Sequence, residues 1–277
     1  MNLLRLSIIF FLGMAQVSNA EIYQWTDSQG RNHYSDQKKA QAKLLRISPG
    51  YSYYHVRKVF DGDTILLEND TKVRLLGINA PEVEGRNKSA EAGGIEAKRW
   101  LEKTLSGSKV RLEKGAETKD KYGRLLAHVF TENKNHLNLE LIRRGLAAIS
   151  IYPPNLKYSE VLLQAQYQAE SENLGIWGNE NYHPKAILSL EQKKLKGWQR
   201  LFGRVISIRE SRKYVYLEFS SYFDARIAKK NLIHFDDITE YLNKNIELRG
   251  WLSKRKNHQS MLIRHPSAIK VSSKLFK

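Results

Sequence analysis

The chain has no cysteine among its 277 residues. That absence excludes disulfides, thiolate zinc sites, cysteine nucleophiles and a lipidated cysteine anchor, so stability must come from packed cores alone. Acidic residues are also in short supply, 29 Asp and Glu against 46 Lys and Arg, for a formal charge of +17. Long apolar runs are missing too. One segment of about ten residues, Leu6 to Ala15, follows the basic start Met1-Asn2-Leu3-Leu4-Arg5 and precedes Ser18-Asn19-Ala20. A short basic region, a short apolar run and small residues at the end make a secretory signal peptide over 1–20, too short for a membrane span. An uncleaved anchor is the alternative. After it no run approaches spanning length, so the mature protein is expected to be soluble, exported, and periplasmic or secreted.

Residues 21–37 place strand formers on both sides of Asp27-Ser28-Gln29-Gly30, which is the pattern of a hairpin. The segment is similar to the short domain of unknown function that opens many exported proteobacterial proteins. Residues 38–52, with Pro49-Gly50, are expected to be a linker.

The densest chemistry lies between Val59 and Glu82. Asp61 and Asp63 flank Gly62 and lead into the strand-like Thr64-Ile65-Leu66-Leu67. Residues two apart on an extended chain point to one side, so both carboxylates can converge on one site. Lys72 to Ile78 returns as a second strand carrying Arg74, and Glu82 follows Pro81. Carboxylates, an Arg and a further acid in one place are what metal-assisted attack on a phosphodiester requires. A second segment, Asp120-Lys121-Tyr122-Gly123-Arg124, is a turn opening another strand and delivering a second Arg.

With DGDT, RLLGINAPE and DKYGR in this order, and Leu174-Gly175-Ile176-Trp177 closing the segment, the chain resembles the thermonuclease (staphylococcal-nuclease-like) family over residues 53–178. The resemblance implies an α+β catalytic domain, a five-stranded OB-type barrel with three helices, and calcium-assisted phosphodiester hydrolysis. It implies catalytic roles for Arg74, Glu82 and Arg124. Glu82 would accept a proton from, or orient, the attacking water, and the two guanidinium forks would neutralise phosphate charge. It implies that Asp63 binds the metal with Asp61 behind it and the Ala80 backbone carbonyl as a further ligand. Lys121 and Tyr122 fall where the family grips a substrate phosphate. One position departs from the pattern: Asn79 stands where the family usually has a second metal-binding Asp. An amide oxygen still ligates calcium but brings no charge, so a weaker site is expected.

Helices are expected over 88–105 from its composition, although Gly93-Gly94 weakens its middle, and over 137–146 and 158–173 from apolar residues recurring every three or four positions. His128 and His136 are read as structural or surface residues, each far from a second ligand candidate. A second linker is expected over 179–197. Residues 198–277 then read as a small basic domain, a second β-barrel of OB-like kind, with strands in 198–208, 213–219, 245–252 and around Met261. Residues 191–277 hold 20 Lys and Arg against 8 Asp and Glu, a surplus of 12, and a field of one sign attracts polyanions. Trp251, Lys254, Arg255 and Lys256 lie together at a strand end and are candidates for gripping a nucleic-acid strand by stacking and charge, although for Trp251 a core position is the favoured reading. The expected function is an exported metal-dependent nuclease acting on DNA, RNA or both. The competing readings are a non-catalytic nucleic-acid or polyanion binding protein of the cell envelope and an envelope adhesion protein.

Overall fold

Alternation of apolar and polar residues, interrupted by Asp, Asn and Gly, makes most of this chain strand and turn. The computed structural model describes residues 22–45, 52–85, 89–190, 195–255 and 257–271. The signal-like segment and Lys256 lie outside them. No helix among the described residues is long and apolar enough to cross a membrane.

The N-terminal unit is a sheet of three short strands, β1 (Ile22–Thr26), β2 (Asn32–Ser35) and β3 (Lys43–Leu45), with β1 central. Asp27 makes the β1–β2 turn by accepting the N–H groups of Gln29 and Arg31 at 2.9 and 3.0 Å. Residues 38–52 are therefore not simply a linker. Lys43 and Leu44 pair with Gln24 and Tyr23, giving the hairpin a third strand, which a marginal two-stranded unit needs.

The next segment contains β4 (Tyr53–Asp61), β5 (Thr64–Leu67), β6 (Lys72–Leu75), β7 (Gly77–Asn79), α1 (Gly94–Leu105), β8 (Lys109–Lys119), β9 (Leu125–Thr131), α2 (Leu137–Arg143), β10 (Ala148–Ser150) and α3 (Ser159–Ser171). Strands β4, β5, β6, β9 and β8 close into a barrel in that order. Only the β6–β9 pair is parallel. Ile65, Leu67, Val73, Leu75, Val110, Ala127 and Val129 fill the interior, and Leu101, Leu141, Ile142 and Leu162 bring the three helices onto it. Each such large side chain taken from water contributes roughly 1.5–3 kcal/mol. Helix α1 starts at Gly94, six residues later than expected, because Gly93 has φ 89° and serves as the entry to the helix rather than a weakness inside it.

The C-terminal segment contains β11 (Lys185–Ala186), β12 (Trp198–Arg204), β13 (Ser207–Glu210), β14 (Tyr214–Ser220), β15 (Phe223–Ala228), β16 (Asn245–Arg255), β17 (His258–Ile263) and β18 (Ile269–Val271). The sequence pattern did not show β15. The expected linker 179–197 also carries structure: β11 pairs with β12, and Ile187 and Leu190 enter the second core. Two residues, Val205 and Ile206, separate β12 from β13. Val205 N–H donates to Lys244 O, continuing the β12–β16 ladder, and Ile206 N–H donates to Glu218 O, continuing the β13–β14 ladder. The chain thus steps from one ladder to the other, and β12/β13, β14, β15, β17 and β16 form a ring through that covalent step. Its order and directions repeat those of the first barrel, including the single parallel pair, here β15–β17.

A network of charges joins the two barrels. Arg249 on β16 donates to both oxygens of Glu170 on α3, at 2.5 and 2.9 Å. Its Nε reaches Glu247 at 2.7 Å, and Glu247 also accepts from Arg200 Nε at 2.6 Å. Glu247 and Arg249 are buried, so neither charge is tolerable without its partners.

His128 and His136 are not isolated, as the sequence suggested. Their rings share a hydrogen bond of 3.1 Å and pack with Phe130 and Tyr158. Their role is nevertheless structural. Burial pushes both imidazoles down, to about 4 for His128 and about 3 for His136; Lys157 lowers the first further and His128 the second, against Glu113. In an unfolded chain both would take a proton near pH 6.5. The stability they contribute is complete above about pH 6.5 and is lost as pH falls through about 4 towards 3. Unfolding by urea is expected to become easier by on the order of a few kcal/mol between pH 6.5 and 4, with His265, also lowered by burial, adding to the slope. His136→Phe, which keeps a ring on Phe130, should flatten that slope. An unchanged slope would show that the pair does not govern it.

Candidate active site

The turn between β4 and β5 is set by Asp61, whose Oδ1 accepts the N–H of Asp63 at 3.1 Å. Gly62 in the middle of the turn is needed for contact. A Cβ there would stand 2.6 Å from the Cβ atoms of both Ala80 and Ala97, forcing α1 off the barrel. Asp63 is only 5% exposed. Its Oδ1 accepts the Thr64 hydroxyl at 3.0 Å; its Oδ2 accepts the Ala80 N–H at 2.8 Å and faces Arg74 Nη2 at 2.9 Å. Arg74 lies opposite Thr64 in the β5–β6 ladder. Its Nη1 donates to Leu75 O at 2.8 Å, and Nη2 is 3.5 Å from Asn79 Oδ1. Burial pushes the Asp63 carboxyl up, to about 7; Arg74 pulls it down, Asp61 pushes it further up, and the Ala80 N–H lowers it. One guanidinium does not repay the desolvation of this carboxylate.

Asn79 ends β7 opposite Ala148 on β10, and Glu82 follows two residues after Ala80. The Glu82 backbone is fixed from both sides by Glu91: Glu82 N–H donates to Glu91 Oε2 at 3.0 Å, and Glu91 N–H donates to Glu82 O at 2.9 Å. Gly94 lets α1 come this close, since a Cβ there would be 2.5 Å from Glu82 O. One hydrogen bond and one close approach reach the same loop from beyond the first barrel. The Tyr182 hydroxyl donates to Ala92 O at 3.2 Å, and a Cβ on Gly197 would be 3.2 Å from Glu91 Oε1. Glu91 and Tyr182 were not visible as site residues in the sequence, because their contacts span nine and 90 positions and no local motif marks them.

The second Arg comes from the β8–β9 turn. Asp120 Oδ1 accepts the N–H groups of Tyr122 and Arg124 at 2.9 and 3.0 Å, and its Oδ2 receives Arg124 Nε at 2.6 Å. Burial raises the Asp120 carboxyl, but the bonds from Arg124 outweigh it and hold the group below its ordinary value. An Asp three residues before Gly123 is a turn signal that identifies this support. In the parallel β6–β9 ladder Arg74 stands opposite Leu126. Arg124 is two residues earlier, so it shares the Arg74 side of the sheet, roughly 7 Å along and 5 Å across. Lys121 and Tyr122 crown the turn; Tyr122 is 72% exposed, with Lys121 Nζ 4.9 Å from its ring centre.

Asp61, Asp63, Arg74, Asn79 and Ala80 are thus brought together, with the Glu82 backbone anchored two residues on and Arg124 in the β8–β9 turn. Trp251, Lys254 and Arg255 are elsewhere, on β16 of the second barrel. Trp251 is 40% exposed and not a core residue.

Among the described residues no three His, Cys, Asp or Glu side chains converge as a metal cage. The oxygens on and around Asp63 are of mixed kind, the Asp61 and Asp63 carboxylates and the Asn79 amide, with the Ala80 backbone held beside them by its N–H. Hard cations take oxygen ligands, and the shortfall of positive charge beside buried Asp63 is of the sign a divalent ion would make good. The residues fit such an ion, held weakly.

The profile described as "Staphylococcal nuclease homologue" matches residues 72–179, and that of a domain of unknown function, DUF4124, matches residues 9–52. The thermonuclease of Staphylococcus intermedius is 41% identical over 127 residues, 45% of this chain and 75% of that protein. The thermonuclease of Staphylococcus hyicus is 40% identical over 129 residues, 46% and 76% of the two chains. Endonuclease YncB of Bacillus subtilis is 30% identical over 175 residues, 61% and 77%.

Proposed function

The chain belongs to the staphylococcal nuclease family, and on that premise we propose that it is an exported, cation-assisted nuclease hydrolysing phosphodiester bonds of DNA, RNA or both. The observation that carries this reading is the buried Asp63–Arg74 pair set among Asp61, Asn79 and Ala80 at the mouth of the barrel. Arg74 and Arg124 present two guanidinium groups on one side of the sheet, and a fork of donors matches phosphate oxygens. Glu82, fixed by Glu91 through its backbone, accepts the proton of the attacking water. A calcium ion on Asp63, Asn79 and the Ala80 carbonyl, with Asp61 behind them, would add positive charge against the scissile phosphate. Lys121 and Tyr122 grip a neighbouring phosphate. Trp251, Lys254 and Arg255 serve substrate at a distance, on the second barrel, and Lys256 follows them in sequence. Export rests on the signal-like start, which would put the enzyme in the periplasm or outside the cell.

Incubation of the purified protein with plasmid DNA and with RNA, in calcium or in chelator, tests the reading. Cleavage in calcium alone is expected; cleavage undiminished by chelator would remove the cation from the mechanism, and no cleavage of either polymer would overturn the assignment. Because Asn79 replaces a charged ligand, half-maximal activity should need calcium in the millimolar range. Asn79→Asp should lower that concentration several-fold. An unchanged requirement would show that position 79 is not a ligand.

A further inference from the structure

The second barrel carries a face that catalysis does not use. Along β14, Val215, Leu217 and Phe219 enter the core, so Tyr214 and Tyr216 point outward. On β15, Ala225 and Ile227 are core residues and Arg226 between them is outward. The registers align Arg209 with Tyr216, Tyr216 with Arg226, and Arg226 with Leu262, and the β16–β17 pairing begins at Leu252 and Met261, the neighbours of Trp251 and Leu262. Cations and rings alternate across it. The Arg209 guanidinium sits 4.1 Å from the Tyr216 ring centre, Arg226 lies 5.7 Å from that of Tyr214, and Arg264 stacks at 4.5 Å on Tyr152 from the first barrel.

A cavity of about 270 Å³ opens on this row, lined among others by Tyr152, Arg226, Trp251 and Arg264. Arg226 donates through Nη2 to Ser253 Oγ at 3.4 Å, and its Nε is buried with no hydrogen-bond partner, a donor whose desolvation is uncompensated. The acids of the face are already engaged: Glu218 by Arg209 and Ser207, at 2.7 and 2.6 Å, and Asp224 by His258 at 2.7 Å. Arg226 and Arg264 therefore set the sign of the cavity.

We propose that this face binds a stretch of single-stranded nucleic acid, its bases stacked on Trp251 and the tyrosines and its phosphates met by Arg226 and Arg264. Every unpaired base offers a ring face, stacking contributes roughly 1–3 kcal/mol per base, and basic grooves with aromatic platforms are how such strands are held without regard to sequence. A duplex keeps its ring faces covered. Strand β10 connects the face to the candidate active site: Ala148 is opposite Asn79, and the chain then runs through Ile149 to Tyr152 in the cavity wall. Four residues of extended chain span roughly 13 Å, so one strand can occupy both. The proposal rests on the nuclease reading for its choice of ligand, but not on cleavage.

The test is fluorescence anisotropy of the full chain, in chelator, with labelled thymidine oligomers of about twenty and about four nucleotides, lengths above and at the lower end of an OB-fold site. The double variant Arg226→Met/Arg264→Met should bind the long oligomer at least ~10-fold more weakly, with the slope of log affinity against log salt reduced by roughly 1.4, about 0.7 for each phosphate contact on a single strand. Affinity for the short oligomer, held at the first barrel, should change by less than a factor of about two. Unchanged binding of the long oligomer, an equal loss for both lengths, or equal wild-type affinity for the same length of duplex would each overturn the proposal. Tyr214→Ser/Trp251→Ser removes stacking surface instead of charge and should give the same length-dependent loss; its failure to do so is equally fatal, and it serves if the arginine variant does not fold. Cleavage of the long oligomer by wild type in calcium is measured separately. A protein that binds with this signature but never cuts keeps the face and loses the catalytic assignment.

Discussion

Arg74→Ala is expected to leave a folded barrel that cleaves nucleic acid at least ~100-fold more slowly, the usual loss when one charge stabiliser is removed from a phosphate-transfer site. The same substitution takes from Asp63 the guanidinium 2.9 Å away, so the carboxyl, already pushed up by burial, becomes harder to ionise. Arg74→Lys separates the two effects. It keeps a positive charge for Asp63 but not the planar fork; a rate near that of the alanine variant would locate the function in the fork, and a rate near wild type in the charge. Glu82→Gln and Arg124→Ala should each show losses of similar order. Near wild-type turnover in any of them, with circular dichroism unchanged, would show that residue to be misassigned.

Glu170→Ala should cost about 3–5 kcal/mol of folding stability, because it leaves Arg249 buried with a charge only half answered. Arg249 donates to Glu170 through two nitrogens and to Glu247 through the third. For a unit of this size the loss corresponds to a fall in Tm of roughly 6–20 °C. Replacing Arg200, Glu247, Arg249 and Glu170 together by apolar residues of similar volume should cost far less, since neither charge nor unpaired donor then remains buried. If Glu170→Ala unfolds in the same urea concentration as wild type, water has reached Arg249 and the network is not what holds the barrels together.

The catalytic half of this chain was legible because its chemistry is local. Asp61 and Asp63 sit two residues apart, Arg74 is one hairpin away, and the Asp120–Arg124 turn is complete within five residues. What supports those residues was not legible. Glu91, Tyr182 and Glu170 act across nine, 90 and 79 positions, and their sequence neighbourhoods look like solvated helix and loop. Strand β15 was hidden for a different reason. Its Asp224 and Arg226 interrupt the apolar run, and only the pairing with β14 and β17 shows that they belong to an outward row. The Gly93-Gly94 pair resembled a flaw inside a helix and proved to be its entrance.

The clasp on the Glu82 loop makes similarity and mechanics disagree about where the catalytic unit ends. The match to the nuclease family stops at residue 179, yet Tyr182 holds Ala92 and Gly197 lies against Glu91, both beyond that border. A fragment cut at 179 would contain every residue proposed for the chemistry in the first barrel but would lack the Tyr182 hydrogen bond to Ala92, in the loop that follows Glu82. The unit that holds this loop therefore extends beyond residues 72–179, and Tyr182 ties the candidate site to a part of the chain outside that match.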